Sequence, residues 1–321
     1  MTGGVDLQGG TLKFFFGNST SASGLTGISR EVGGVGLVHV TGAIDSPHLA
    51  CCAFVEGEDS RCDAFLQEEV KRRGLAKSRG VGVLSFNTYG LFQVAPPAVP
   101  DAELRDAVRW QIKDLIEFPL DEAVVDVFRV GLDARREGTK NAYVVAARQA
   151  VVRQMALMMR QARLKIEAID IPELSLRNLA TLLPEDERGV SLLFLGVHSG
   201  VVIVCRAGRL QLARDIPFGT DALSAQDADF QERLGLLALD IQRSLDFYES
   251  SFRQTPVAAL YLLPTVEPVK GLLQELQSRL GTPVKPFVLA DLLSGDSLDL
   301  AAADRCLLAV GAALRRDREG A

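Results

Sequence analysis

The sequence predicts an α/β fold built as two related halves with a smaller unit set into the first, and three observations carry this. Apolar runs of strand length come in hairpin pairs, at 36–40 with 50–55 and again at 190–195 with 201–206. Each pair is followed by a stretch whose apolar residues recur at helical spacing. Between them, 87–165 has a rhythm of its own: strand, helix, strand, strand, helix. With 321 residues, 47% apolar and 24% charged, the chain is long enough for this plan and too apolar to stay unfolded.

The elements follow in order. Residues 1–32 are rich in Gly, Ser and Thr and read as a flexible leader, with ordered structure beginning at Val35. Two strands, 36–40 and 50–55, are joined by a turn through Gly42 to Pro47. A helix over 61–73 carries Phe65, Val70 and Leu75, with Gly74 at its C-terminal cap, and 81–86 is a buried strand. In the inserted block, a helix after Pro100 and Asp101 lines up Leu104, Ala107, Val108, Ile112 and Leu115. It ends by Phe118, because Pro119 has no N–H to donate and restricts the residue before it. Strands at 124–130 and 142–147 flank a polar turn at 133–140, and a helix over 149–163 turns Val152, Met155 and Met159 inward.

After a short helix at 172–182 and the polar break at 184–189, the second half begins. It reads as strands at 190–195, 201–206 and 210–215, then a long helix at 230–252 with Leu234, Leu237, Ala238, Ile241, Leu245 and Tyr248 on one stripe. A strand (258–263), a helix (268–280), a short strand (283–288) and a closing helix (301–315) complete it. The expected organisation is a leader at 1–32, a first half from 33–86 with 166–187, an insert at 87–165, a second half at 188–315 and a tail at 316–321.

Composition excludes several functions. A net charge of −6 argues against nucleic-acid binding as the main task, which needs a clustered positive surface. Arg153, Arg160, Arg163 and Lys165 form a local basic group, read first as one solvated helix face. The five cysteines, Cys51, Cys52, Cys62, Cys205 and Cys306, have no metal-ligand spacing, and His39, His48 and His198 are far apart. Reduced thiols in the cytosol fit this pattern. No signal peptide opens the chain, and the apolar stretch 190–205 is interrupted by Gly196, His198, Ser199 and Gly200, so no spanning helix is expected. The cluster Leu12, Lys13, Phe14, Phe15 and Phe16 reads as either a weak interfacial anchor or a tucked-in plug.

The stretch 99–129 carries a recognisable pattern: Val99-Pro100, Arg109-Trp110 on a helix, a Phe118-Pro119-Leu120-Asp121 turn, then a strand with Asp126. Further pieces are Tyr143 to Arg148, Ile169 to Leu174, Leu212 to Gly219, Ile241 to Tyr248 and Leu308 to Arg315. Together they resemble the PilM family of type IV pilus assembly proteins, and within it the MshI-type branch that serves mannose-sensitive haemagglutinin (MSHA) pili. The resemblance implies an actin-like fold of the cell-division-protein type, with a small α+β subdomain inserted at 87–165. It implies a cytoplasmic scaffold, peripheral to the bacterial inner membrane, that docks the N-terminal tail of a PilN-type membrane protein. It also brings in the pilus assembly ATPase as a second candidate partner.

On this reading the walls of a peptide groove are Trp110, Phe118, Pro119, Leu120 and Met158, although a tryptophan on an amphipathic helix is more often core than contact. Actin-like ATPases cradle phosphates with glycine-rich hairpins bearing aspartates, because backbone N–H groups must approach the phosphates and a carboxylate must place the Mg²⁺. The loops expected to do this depart from that pattern. The hairpin ending at Gly42 has no aspartate, and Asp45 lies too far into the turn. Leu195 stands where the second aspartate belongs, before Gly196 and Gly200, and Pro264 replaces a glycine turn. The expectation is a degenerate nucleotide site, no cofactor and no enzymatic activity. His198 and Ser199 are a weak hydrolase pair, with no aspartate evident to orient them. The alternatives are an ATP-binding actin-like switch of the same machine and a secretion-system platform on the same fold. The lack of an apolar span after the last helix counts against the platform.

Overall fold

One strand plan is used twice. In the first sheet β1 (Leu25–Glu31), β2 (Gly34–Ala43) and β3 (Ser46–Glu56) run antiparallel in succession. Helix α1 (Asp59–Arg72) then returns the chain so that β4 (Arg79–Val83) lies parallel to β1. After the insert, α3 (Gln149–Gln161) delivers β8 (Lys165–Asp170) parallel to β4. The second sheet repeats this. β9 (Val190–Leu195), β10 (Gly200–Arg206) and β11 (Arg209–Ile216) are antiparallel, and α5 (Thr220–Ser224) and α6 (Phe230–Phe252) lead to β12 (Leu260–Leu262), parallel to β9. Helix α7 (Leu272–Arg279) leads to β13 (Val284–Pro286), parallel to β12. The computed structural model describes residues 24–31, 33–43, 46–130, 142–224, 229–265, 267–295 and 300–316. The cluster at 12–16, Asp45, the polar turn at 133–140 and the tail after 316 lie outside the described residues.

The insert is a third, separate sheet. β5 (Tyr89–Val94), β7 (Ala142–Arg148) and β6 (Ala123–Arg129) are antiparallel in the order β5-β7-β6, and α2 (Asp101–Gln111) packs on it. Leu104, Val108 and Ile112, one turn apart, are buried against Val125, Val144 and Ala146, which is why this short segment folds as a unit. Helix α3 packs on β4 and β8 as well as on the insert. With α1 it covers the outer face of the first sheet.

Between the two large sheets lie α4 (Pro172–Ala180) and α10 (Leu307–Ala313). Helix α4 packs on β9, β10 and β11, while α10 packs on β1, β2, β4 and α4. The chain reaches α10 through α8 (Leu289–Leu292), β14 (Ser294–Gly295) beside β3, and α9 (Leu300–Arg305). The closing helix, which the sequence reading gave to the second half, therefore lies on the first sheet. Its uniformly apolar surface fits a fully enclosed helix but carries no sign of which sheet it meets. A buried ion pair, Arg315 to Asp170 at 2.6 Å, fastens its end to β8.

A second correction concerns the leader. Strand β1 lies inside the stretch read as mobile, and it is central to its sheet. Gly24 and Gly27 are close-approach positions: a Cβ would lie 2.6 Å from the Val40 carbonyl oxygen at Gly24 and 1.8 Å from the Ala309 carbonyl oxygen of α10 at Gly27. Among the described residues no helix is long and apolar enough to cross a membrane.

Candidate functional site

Two places attract attention, the cleft where the large sheets meet and the outer surface of the insert. The cleft is built at the ends of equivalent strands. The end of β1 brings Arg30 and Glu31, the segment after β4 brings Ser85, Phe86 and Asn87, and the β9–β10 turn brings Leu195 through Ser199. Pro264, Asp304, Leu307 and Leu308 complete the wall around a cavity of about 110 Å³. Phe86 stacks on Phe194 with ring centroids 5.4 Å apart, filling the space between the sheets with aromatic surface. Ser29 Oγ donates to Glu31 Oε1 at 3.1 Å, yet burial raises the Glu31 carboxyl to about 7. Burial raises Asp304 as well.

The first hairpin of the fold is β1–β2, turning near Gly33, and its cleft-facing residues are Arg30 and Glu31. The sequence reading placed that hairpin one strand later. Gly42 lies at the far end of β2 in the β2–β3 turn, with φ +92°, roughly 30 Å of strand from Gly34 and away from the cleft. Leu195, Gly196 and Pro264 do line the cleft. Gly200 starts β10, where a Cβ would sit 2.6 Å from the Phe194 carbonyl oxygen, so tight hairpin packing accounts for it.

The enclosed part of the cleft is small. Its volume falls below the roughly 300 Å³ at which ligand pockets begin. Two carboxylates line it, Pro264 offers no N–H, and its one arginine, Arg30, bonds Asp63 at 2.6 Å. His198 does have an acidic partner that sequence spacing did not reveal: Nδ1 lies 2.7 Å from Asp221 Oδ2. That hydrogen bond holds the Asp221 carboxyl below its ordinary range. Both side chains are exposed, and among the described residues no hydrogen bond joins Ser199 Oγ to the imidazole.

On the insert, Trp110 is 71% exposed at the end of α2, and Leu115 just beyond it is 53% exposed. The core stripe explains this. Trp110 lies two residues from Val108, about 200° around the helix, so it faces away from the sheet. Phe118 is half-buried with the Arg148 guanidinium 4.6 Å over its ring, Pro119 is exposed, and Arg109 donates to the carbonyl oxygen of half-buried Leu120. Phe118, Pro119 and Leu120 thus lie in one surface segment, tied back to α2 through Arg109. Met158 does not join them. It is buried on the inner face of α3 in the cluster with α1, where Arg30 Nη2 lies 3.3 Å from its sulfur.

Two tyrosines tie the insert to elements outside its own sheet. Tyr89 of β5 donates to Glu173 Oε2 of α4 at 2.7 Å. Tyr143 of β7 accepts the Ala213 N–H of β11 at 2.9 Å and lies 3.3 Å from its carbonyl oxygen. Glu173 is buried at the start of α4, and desolvation raises its carboxyl to about 7 against the pull of the Tyr89 hydrogen bond.

Comparison with known proteins agrees with this architecture. A family model described as type IV pilus assembly protein PilM matches residues 93–236, and over that stretch the chain is PilM-like. No curated protein sequence matches the chain. A solved PilM–PilN type IV pilus biogenesis complex aligns at 24% identity with a TM-score of 0.71, covering 92% of this chain and 98% of that one. The cytoplasmic domain of EpsL, an inner-membrane component of the type II secretion system of Vibrio cholerae, aligns at 12% identity and a TM-score of 0.50, covering 92% and 96%. A Bacteroides thetaiotaomicron protein with an actin-like ATPase fold aligns at 10% identity and a TM-score of 0.50, covering 93% and 98%. The fold is actin-like α/β.

Proposed function

We propose that the chain is a docking platform of a type IV pilus assembly machine, holding the N-terminal tail of a PilN-type inner-membrane protein at the membrane's cytoplasmic face. The observation that carries this reading is the PilM match over 93–236, which takes in most of the insert and the first strands of the second sheet. The PilM–PilN complex among the structural neighbours supports the choice of partner. Service to MSHA-type pili rests on the finer resemblance at 99–129, and the assembly ATPase is a further partner on the same footing. The candidate contact surface is Trp110, Phe118, Pro119 and Leu120.

The test is titration of the partner's tail peptide into the wild-type chain and into Phe118→Ala, with circular dichroism as a fold control. Loss of a buried aromatic anchor costs about 2 kcal/mol, roughly thirtyfold in affinity. A folded variant that binds as well as wild type places the groove elsewhere. The second reading, an ATP-dependent switch, has in its favour the position of the cleft between the two sheets. Against it stand the cavity's size, its carboxylates and the Phe86–Phe194 stack. A fluorescent ATP analogue binding with Mg²⁺ more tightly than about 10 μM, near −7 kcal/mol, would favour the switch.

A further inference from the structure

The end of the first sheet opposite the cleft is strongly basic. Two loops lie side by side there, joined by Lys77 N–H to the Arg163 carbonyl at 2.8 Å and Lys165 N–H to the Ser78 carbonyl at 2.9 Å. Residues 68–79 and 160–167 contribute Lys71, Arg72, Arg73, Lys77, Arg79, Arg160, Arg163 and Lys165 against Glu68, Glu69 and Glu167. That leaves five net positive charges in a chain whose total is −6. Glu69 is taken up by Arg72 and Arg73, and Glu167 by Arg79. Lys71, Lys77, Arg160, Arg163 and Lys165 are all exposed and form no ion pair among the described residues. Helices α1 and α3 both end here, and a few cations at a helix C-terminus ordinarily offset its dipole. Eight is more than two helix ends require.

From this patch we infer that this end of the molecule is a docking surface for an anionic phospholipid bilayer, independent of the reading of the insert. The cations spread over two loops and two helix ends rather than around a cavity, which suits a field of headgroups better than a single phosphate. Leu157, 56% exposed, stands on α3 between Arg153 and Arg160 and adds an apolar contact among cations.

The experiment is flotation of the full chain with vesicles of phosphatidylcholine containing roughly 30 mol % phosphatidylglycerol, against pure phosphatidylcholine. Partition is expected into the anionic vesicles alone, and it should weaken steeply between about 0.05 and about 0.3 M salt. At about 1 kcal/mol per cation near the surface, Lys71→Glu with Arg160→Glu and Lys165→Glu lowers partition by roughly a hundredfold or more. Arg243→Glu, on the exposed face of α6, leaves it unchanged. Failure to bind anionic vesicles overturns the inference and leaves an acidic protein as the patch's partner. So does equal binding to neutral vesicles, or undiminished binding by the folded triple-glutamate variant.

Discussion

Glu173 offers a direct test of how the insert is joined to the rest of the molecule. Its carboxyl is buried, accepts from Tyr89, and is raised from 4.5 to about 7, chiefly by desolvation and further by Asp215 and Asp170. Because the folded value lies above the unfolded one, the folded state holds a proton that unfolding releases between these two pH values. Stability from this group is therefore fully present below about pH 4.5, falls as pH rises through the window, and levels off above 7. The gap corresponds to about 3 kcal/mol at pH 8, a sizeable part of a typical 5–15 kcal/mol total. Glu173→Gln stays neutral and still accepts from Tyr89, so it should gain up to about 3 kcal/mol on wild type between pH 5 and pH 8. Any fixed cost of fitting the amide shifts the whole curve and leaves this slope difference intact. Glu31 titrates in the same window and keeps part of the slope in the variant. Urea unfolding of both proteins at four pH values in that range reads the effect. Parallel curves, within about 0.5 kcal/mol throughout, would mean that Glu173 is solvated or already ionised, and would refute the account.

Two further substitutions probe the frame. Gly27→Ala forces a methyl to within 1.8 Å of the Ala309 carbonyl oxygen, so α10 must shift, at a cost of about 1–3 kcal/mol. Urea unfolding measures the loss, and amide exchange should quicken first in α10; an unchanged midpoint would contradict the close packing. Tyr143→Phe removes the hydroxyl that serves both backbone groups of Ala213 and should cost about 1–3 kcal/mol, read as a lower urea midpoint and faster exchange along β11. No change in either would mean that water takes over those groups.

The second sheet was plain in the sequence because its strands are near-continuous apolar runs with turns at Gly196–Gly200 and Ala207-Gly208 between them, and α6 shows one unbroken stripe. Strand β1 was hidden for a physical reason. Gly24 and Gly27, amid Ser and Thr, read as part of a leader by composition, yet Gly27 is where the Ala309 carbonyl of α10 presses against the strand. Missing β1 moved the first hairpin one strand along and took Gly42 with it. Residue type favours burial for Trp110, but its angle from Leu104, Val108 and Ile112 puts it outside. Asp221 lies 23 residues from His198, a separation that no local pattern reports. Met158 follows an inward-facing run on α3, and its burial was readable from Met155 and Met159 on either side.

The contacts of the insert suggest how a bound tail would reach the rest of the molecule. The insert belongs covalently to the first sheet, through Phe86 at one end and α3 at the other, but its side chains grip elsewhere. Tyr89 holds Glu173 on α4, a helix that packs on the second sheet, and Tyr143 holds the backbone of β11 directly. Phe86, in the link to the insert, stacks on Phe194 of β9. Rotation of one sheet against the other must therefore break a carboxylate hydrogen bond, a pair of backbone contacts and an aromatic stack together. Each is worth about 1 kcal/mol or a little more, so the joint resists opening by a few kcal/mol without any ligand in the cleft. A tail that docks at Phe118 and Leu120 sits on the outer side of the same small sheet. It would alter the joint only by shifting β5 or β7, and Glu173→Gln and Tyr143→Phe report on those two strands separately.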